Sequence, residues 1–176
     1  MSIYEKIEKN TVEKEQDTNK LILNEWVYVT NVGFGQMFAA TTDKDGDDHI
    51  VEVGKGGQTA DKYQWKIYKN DGYYFIQNKS QGFMFSATGK KYGDDHVVEC
   101  RPSLVTLESA IKNNQTNNKW SWKIKQQGND LLIVNNRQGQ LFAAHKDLKG
   151  EDHVVETQPG SEFNTDSKFI WTLVRA

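Results

Sequence analysis

One cysteine, Cys100, stands among 176 residues. That excludes an internal disulfide and a thiolate metal cage. It closes an apolar run, which predicts a small buried thiol rather than a reactive one. The N-terminus has no apolar stretch of signal-peptide length, and no segment is long and apolar enough to insert in a bilayer. The expected location is cytoplasmic, or outside the cell without an ordinary signal. Lysine and arginine are scattered and form no basic stripe, and the net charge is -2. Nucleic acid is therefore not an expected partner. No phosphate-cradling loop is present, since Gly54-Lys55-Gly56-Gly57 has neither the spacing nor the strand-to-helix setting. His145 stands alone, with no serine or cysteine motif beside it, so no nucleophilic triad is expected.

From Leu21 onward helical periodicity is absent too. Residues 1–20 differ: Ile3, Tyr4, Ile7 and Val12 are roughly helically spaced among charges of both signs. A short amphipathic helix or a polar arm fits that extension.

What is present is one phrase written three times. Gly46-Asp47-Asp48-His49-Ile50-Val51-Glu52 returns as Gly93-Asp94-Asp95-His96-Val97-Val98-Glu99 and as Gly150-Glu151-Asp152-His153-Val154-Val155-Glu156. Eleven residues before each histidine stands a phenylalanine: Phe38, Phe85 and Phe142. After each phrase comes an aromatic-x-Trp: Tyr63-Gln64-Trp65, Trp120-Ser121-Trp122 and Phe169-Ile170-Trp171. Shared order and near-shared spacing indicate threefold internal repetition.

Short runs with period two predict half-buried strands. Each repeat opens on one: Val27–Asn31, Tyr74–Asn78 and Leu131–Asn135. Each of these ends in an asparagine, which turns a strand well. Gly35, Gly82 and Gly139 then permit the reversal. The late aromatic runs Tyr63, Trp65, Ile67; Trp120, Trp122, Ile124; and Phe169, Trp171, Leu173 alternate with polar neighbours, so one side of each strand should face a shared core. Asn70-Asp71-Gly72 and Gly128-Asn129-Asp130 signal hairpins between repeats. The domain expected is 21–176, with repeats of about 21–71, 72–129 and 130–176.

The histidines are 47 and then 57 residues apart. The extra ten lie in Arg101 to Asn118, where Leu104, Val105, Leu107 and Ile111 exceed what a polar loop needs. A helical turn covering one end of the domain, or a docking site for a protein partner, accounts for them.

Four strands per repeat, a Gly-rich third turn and a late tryptophan resemble the β-trefoil superfamily, and within it ricin-B-type lectin modules. The resemblance covers Leu21 to Ala176. It implies an all-β, pseudo-threefold barrel of about twelve strands that binds carbohydrate without catalysis. In those lectins each repeat ends in Gln-x-Trp. Here the tryptophans match as Trp65, Trp122 and Trp171, but Tyr63, Trp120 and Phe169 hold the glutamine place. The family's sugar-binding aspartate place holds Ala39, Ser86 and Ala143. Any sugar site must be built differently.

Three readings of the repeated phrase stand open. In the first it is structural: the glycines make the turn, Asp48, Asp95 and Asp152 accept backbone N–H groups, and the histidines open a strand. In the second, Asp47, Asp48, His49, Asp94, Asp95, His96, Glu151, Asp152 and His153 form a ligand-binding rim with Asn31, Asn78 and Asn135, since carboxylates and imidazoles hydrogen-bond sugar hydroxyls. In the third they hold a metal ion, although His49 and Glu52 would face opposite ways on a strand. No metal and no cofactor is expected, and recurrence in all three repeats argues against catalysis. The expected partner is a glycan or glycoprotein. The alternative is a protein-binding module, such as a protease inhibitor or intracellular interaction protein, acting through residues 101–118. Asn78-Lys79-Ser80 and Asn114-Gln115-Thr116 match glycosylation acceptors by coincidence.

Overall fold

The computed structural model describes residues 21–45, 48–54, 57–80, 82, 84–92, 95–101, 106–114, 118–149, 152–160 and 166–176. For 41–45, 48–50, 52–54, 88–92, 95–101, 145–149 and 152–154 the description is of the backbone alone. The N-terminal extension, 1–20, lies outside the described residues.

The described residues form twelve strands and one short helix. The first repeat supplies β1 (Trp26–Asn31), β2 (Met37–Asp45), β3 (Asp48–Gly54) and β4 (Gln64–Asn70). The second supplies β5 (Tyr73–Asn78), β6 (Met84–Tyr92), β7 (Asp95–Arg101), the helix α1 (Leu107–Asn113) and β8 (Trp122–Gln127). The third supplies β9 (Asp130–Asn135), β10 (Leu141–Lys149), β11 (Asp152–Gln158) and β12 (Trp171–Arg175). Asp71 and Gly72 turn β4 into β5 with φ of 49° and 80°, as a two-residue hairpin loop requires. Gly35, Gly82 and Gly139 sit at φ 62°, 67° and 65°, so all three reversals after the opening strand share one left-handed residue.

Six strands close into a ring. β1 pairs with β4 and with β12, β4 with β5, β5 with β8, β8 with β9, and β9 with β12. The other six form three hairpins: β2 with β3, β6 with β7, and β10 with β11. Each hairpin joins the ring at an equivalent point, where Met37 lies opposite Thr30, Met84 opposite Gln77, and Leu141 opposite Val134.

The core repeats the same symmetry. Phe38, Phe85 and Phe142 form a triangle with ring centroids 5.0 Å apart on every side. Each stacks on the late tryptophan of its own repeat: Phe38 on Trp65 at 4.0 Å, Phe85 on Trp122 at 4.4 Å, Phe142 on Trp171 at 4.2 Å. Each indole Nε1 donates to the backbone oxygen of the phenylalanine it covers, at 2.9, 3.2 and 2.9 Å. A buried indole needs such an acceptor, and here the partner ring carries it. The expected shared interior is thus formed by six rings from three repeats.

Two expectations are refined. Tyr63 and Phe169 precede their strands, in the 3-10 turns Asp61–Tyr63 and Ser167–Phe169. They pack in satellite clusters, Tyr63 with Met37 and Ala39, Phe169 with Leu132, Leu141 and Ala143. The strand period does not extend to them because the turn resets the chain direction. In the unrepeated connection, α1 is capped by Thr106, whose side chain accepts from Ser109 N at 3.1 Å. Its Leu107, Ala110 and Ile111 pack with Phe75, Met84 and Trp120. A helical turn covering part of the domain is therefore what those apolar residues form; Leu104 and Val105 lie outside the described residues.

Candidate functional site

The three asparagines expected on the rim are not there. Asn31, Asn78 and Asn135 are each fully buried. Their amides donate inward to backbone carbonyls just before the late tryptophan strands: Asn31 Nδ2 to Lys168 O at 2.8 Å, Asn78 Nδ2 to Lys62 O at 2.9 Å, Asn135 Nδ2 to Lys119 O at 3.0 Å. Their Oδ1 atoms accept from the turn that follows, from Phe34 N, Ser80 N and Arg137 N. A buried amide with both ends occupied is a structural staple with nothing left for a ligand. This corrects their assignment as ligand contacts and leaves the strand-closing role. It also explains why Asn78, in an acceptor triplet, offers no amide to a glycan.

The repeated phrase forms the seam between repeats. β3, β7 and β11 pair with one another in a closed triangle. His49 lies opposite Cys100, His96 opposite Thr157, and His153 opposite Val53. Each histidine therefore meets the residue four places after the histidine of another repeat. Likewise Ile50 meets Glu99, Val97 meets Glu156, and Val154 meets Glu52. Three copies of one phrase are what a self-complementary seam of this kind needs. Where side chains of the seam are described, they serve the fold. Glu156 and Gln158 are buried, and Gln158 Nε2 donates to Glu156 Oε1 at 2.6 Å. Thr157 is fully buried, with its Oγ1 donating to Gln140 Oε1 at 3.1 Å.

The same strands carry the acidic half of the phrase to the hairpin tips. Asp48, Asp95 and Asp152 open β3, β7 and β11, opposite Asp45, Tyr92 and Lys149. Asp47, Asp94 and Glu151, in the tips themselves, lie outside the described residues. Every hairpin shifts register at one place, between Ala40 and Lys44, Ala87 and Lys91, and Ala144 and Leu148. Such bulges twist a hairpin and re-aim its end. The result is three hairpins in one register, whose last described pairs are Asp45 with Asp48, Tyr92 with Asp95, and Lys149 with Asp152. Among the described residues no group of three His, Cys, Asp or Glu is placed to hold a metal ion.

Two features escape the repeat. Trp26, half-buried on β1, carries the Lys66 ammonium 4.2 Å above its ring. On the outer face of β8 and β9, a shallow groove of about 340 Å³ is lined by Lys123, Ile124, Lys125, Val134, Gly139 and Gly160. The signal for the groove lay in the broken repeat: Lys123 and Lys125 stand where Lys66 and Tyr68, and Thr172 and Val174, stand elsewhere.

No protein-family model and no curated protein matches the chain. Solved structures do. A salivary protein of the Cysteine and Tryptophan-Rich family from Culex quinquefasciatus is 19% identical, with 90% of this chain and 97% of that one covered and a TM-score of 0.66. The designed threefold-symmetric protein ThreeFoil is 15% identical over 86% of this chain and 99% of its own, with a TM-score of 0.66. The Macrolepiota procera ricin B-like lectin, in complex with lactose, is 14% identical over 89% of this chain and 99% of its own, with a TM-score of 0.63. With the closed ring, the three hairpins and the seam, these likenesses define the fold: it is a β-trefoil. The places that hold the lectins' sugar aspartate by resemblance are closed here, since Ala39, Ser86 and Ala143 are all buried.

Proposed function

We propose that this chain is a non-catalytic, lectin-like carbohydrate-binding protein whose glycan contacts lie at the three hairpin tips. The observation that carries the reading is the shared register of the three hairpins that lead to those tips. The seam sets Asp48, Asp95 and Asp152 at corresponding points of three hairpins. Each tip adds a further carboxylate, from Asp47, Asp94 or Glu151. Carboxylates accept hydrogen bonds from sugar hydroxyls, and three weak equivalent sites gain by avidity on a multivalent glycan surface. The lactose-bound Macrolepiota procera lectin, of the same fold, supports the class of ligand. The alternative, protein capture through 101–118, gains less support, because the apolar residues of α1 are used within the domain.

A glycan array probed with the full chain tests the reading. Binding is expected, and the combined variant Asp47→Asn, Asp94→Asn, Glu151→Gln should abolish it while leaving the circular dichroism spectrum unchanged. No bound glycan, together with unchanged spectra on sugar titration, would refute the reading.

A further inference from the structure

The outer face of β1 and β4 gathers positive charge on one indole. The core takes Val27, Val29, Trp65 and Ile67 from these strands, so alternation turns Trp26 and Lys66 outward. The two lie opposite each other, and the Lys66 ammonium stands 4.2 Å above the Trp26 ring. A second ammonium reaches the same ring, with Lys79 Nζ 5.8 Å from its centroid. Lys79 is held in place. Its backbone N–H donates to Gln64 O at 2.9 Å, and its ammonium donates to Gln64 Oε1 at 3.0 Å and meets Asp61 Oδ1 at 3.1 Å. Gln64 is buried, and its Nε2 donates to Thr59 O at 3.0 Å, which fixes the amide that positions Lys79.

The other repeats have the same backbone without this chemistry. Asn136 N donates to Ser121 O at 3.0 Å and Val32 N to Ile170 O at 2.9 Å, so Asn136 and Val32 stand where Lys79 stands. The places of Trp26, Lys66 and Lys79 are held by Tyr73, Lys123 and Asn136, and then by Asp130, Thr172 and Val32. One face of the three thus joins an indole to two ammonium groups. Among the described residues, no carboxylate pairs with Lys66; Glu25, beside Trp26, pairs instead with Arg175 at 3.0 Å. An indole attracts a cation but carries no net charge. Two cations against Asp61 alone leave one positive charge in excess. A single carboxylate or sulfate ester balances it and accepts from the ammonium N–H groups. The half-buried Trp26 beside them offers apolar surface to the C–H groups of a sugar ring. We propose that Trp26, Lys66 and Lys79 form a second ligand site, for a sugar that carries one negative charge. The sugar part rests on the carbohydrate reading above, while the charge rests on the two lysines.

Chemical-shift titration of the full chain with glucuronate, glucose 6-sulfate, glucose and acetate tests it. Both charged sugars should shift the Trp26 indole N–H and the Lys66 and Lys79 amides to saturation. Glucose and acetate should each bind about tenfold more weakly, since each lacks one part of the ligand. Lys66→Gln should weaken the charged sugars by about tenfold, as loss of a charged hydrogen bond does. The double variant Lys66→Thr, Lys79→Val installs the residues of the third face, and should erase the shifts while the remaining spectrum stays in place. Should the double variant fail to fold, Lys66→Gln decides alone. Absent or unsaturable shifts, shifts that survive the lysine variants, or glucose binding as tightly as the charged sugars overturn the site. Acetate binding as tightly as glucuronate overturns the sugar part. None of these results touches the hairpin tips, whose test is loss of array binding in the tip variant.

Discussion

Trp122→Ala probes the core that holds the three repeats together. Trp122 is fully buried, stacks on Phe85 with rings 4° from parallel, and donates to Phe85 O at 3.2 Å. It also lies 6.2 Å from the ring of Phe142, which belongs to the next repeat. An aromatic of this class buries about 150–250 Å². At about 25 cal/mol per Å² that is about 4–6 kcal/mol, an upper bound because unfolded chains already bury some area. Measured truncations of core aromatics cost about 3–5 kcal/mol, and that range is the expected loss in urea denaturation followed by circular dichroism. Trp122→Phe separates the contributions: it keeps a ring on Phe85 and removes the N–H donor, for about 1–3 kcal/mol. Trp65→Ala and Trp171→Ala should resemble Trp122→Ala, since each indole has the same two partners in its own repeat. A loss under about 1 kcal/mol for Trp122→Ala would refute the reasoning, because no buried indole is so easily removed.

Asn78→Ala should cost about 2–3 kcal/mol in the same assay and leave glycan binding of the surviving folded fraction unchanged, as expected of a buried staple. Burial holds the Tyr68 phenol above its ordinary value of 10.0. The unfolded chain therefore loses this proton first, so the contribution is full below about pH 10 and is lost as pH rises through the folded value. Urea midpoints should fall across that alkaline range, and Tyr68→Phe should flatten the fall. Thr106→Ala removes the cap of α1 and should cost about 1 kcal/mol, read as a lowered melting temperature.

Much of this fold was legible in the chain. Phe38, Phe85 and Phe142 recur at fixed distance from the histidines, and period two marked the strands, so the repeat and its core could be read directly. The seam could not. Strands some fifty residues apart leave no local period when they pair, and His49 meeting Cys100 is visible only in three dimensions. The asparagines were half read: their turn-closing chemistry follows from residue type, but burial does not. An amide that bonds sugar and one that bonds Lys62 O look alike in sequence. The groove on β8 and β9 lies where the repeat breaks, since Lys125 and Val134 stand in the places that Tyr68 and Gln77 hold on β4 and β5. A helical turn was one of two readings of the apolar residues within 101–118, and the helix found is Leu107–Asn113, with Leu107 and Ile111 on one face.

The seam itself admits a direct measurement. Cys100 is the sole cysteine, and His49 is its partner across β3 and β7. Directly opposite residues in an antiparallel pair have Cα atoms about 4.5–5.5 Å apart, within reach of a disulfide. His49→Cys, oxidised at low protein concentration, should form an intramolecular disulfide, seen as loss of two hydrogens by intact mass. Ile50→Cys, one place off register, should not, because its side chain leaves the opposite face of the sheet. Crosslinking of Ile50→Cys in place of His49→Cys, or only between molecules, would contradict the joining of the repeats by their common phrase.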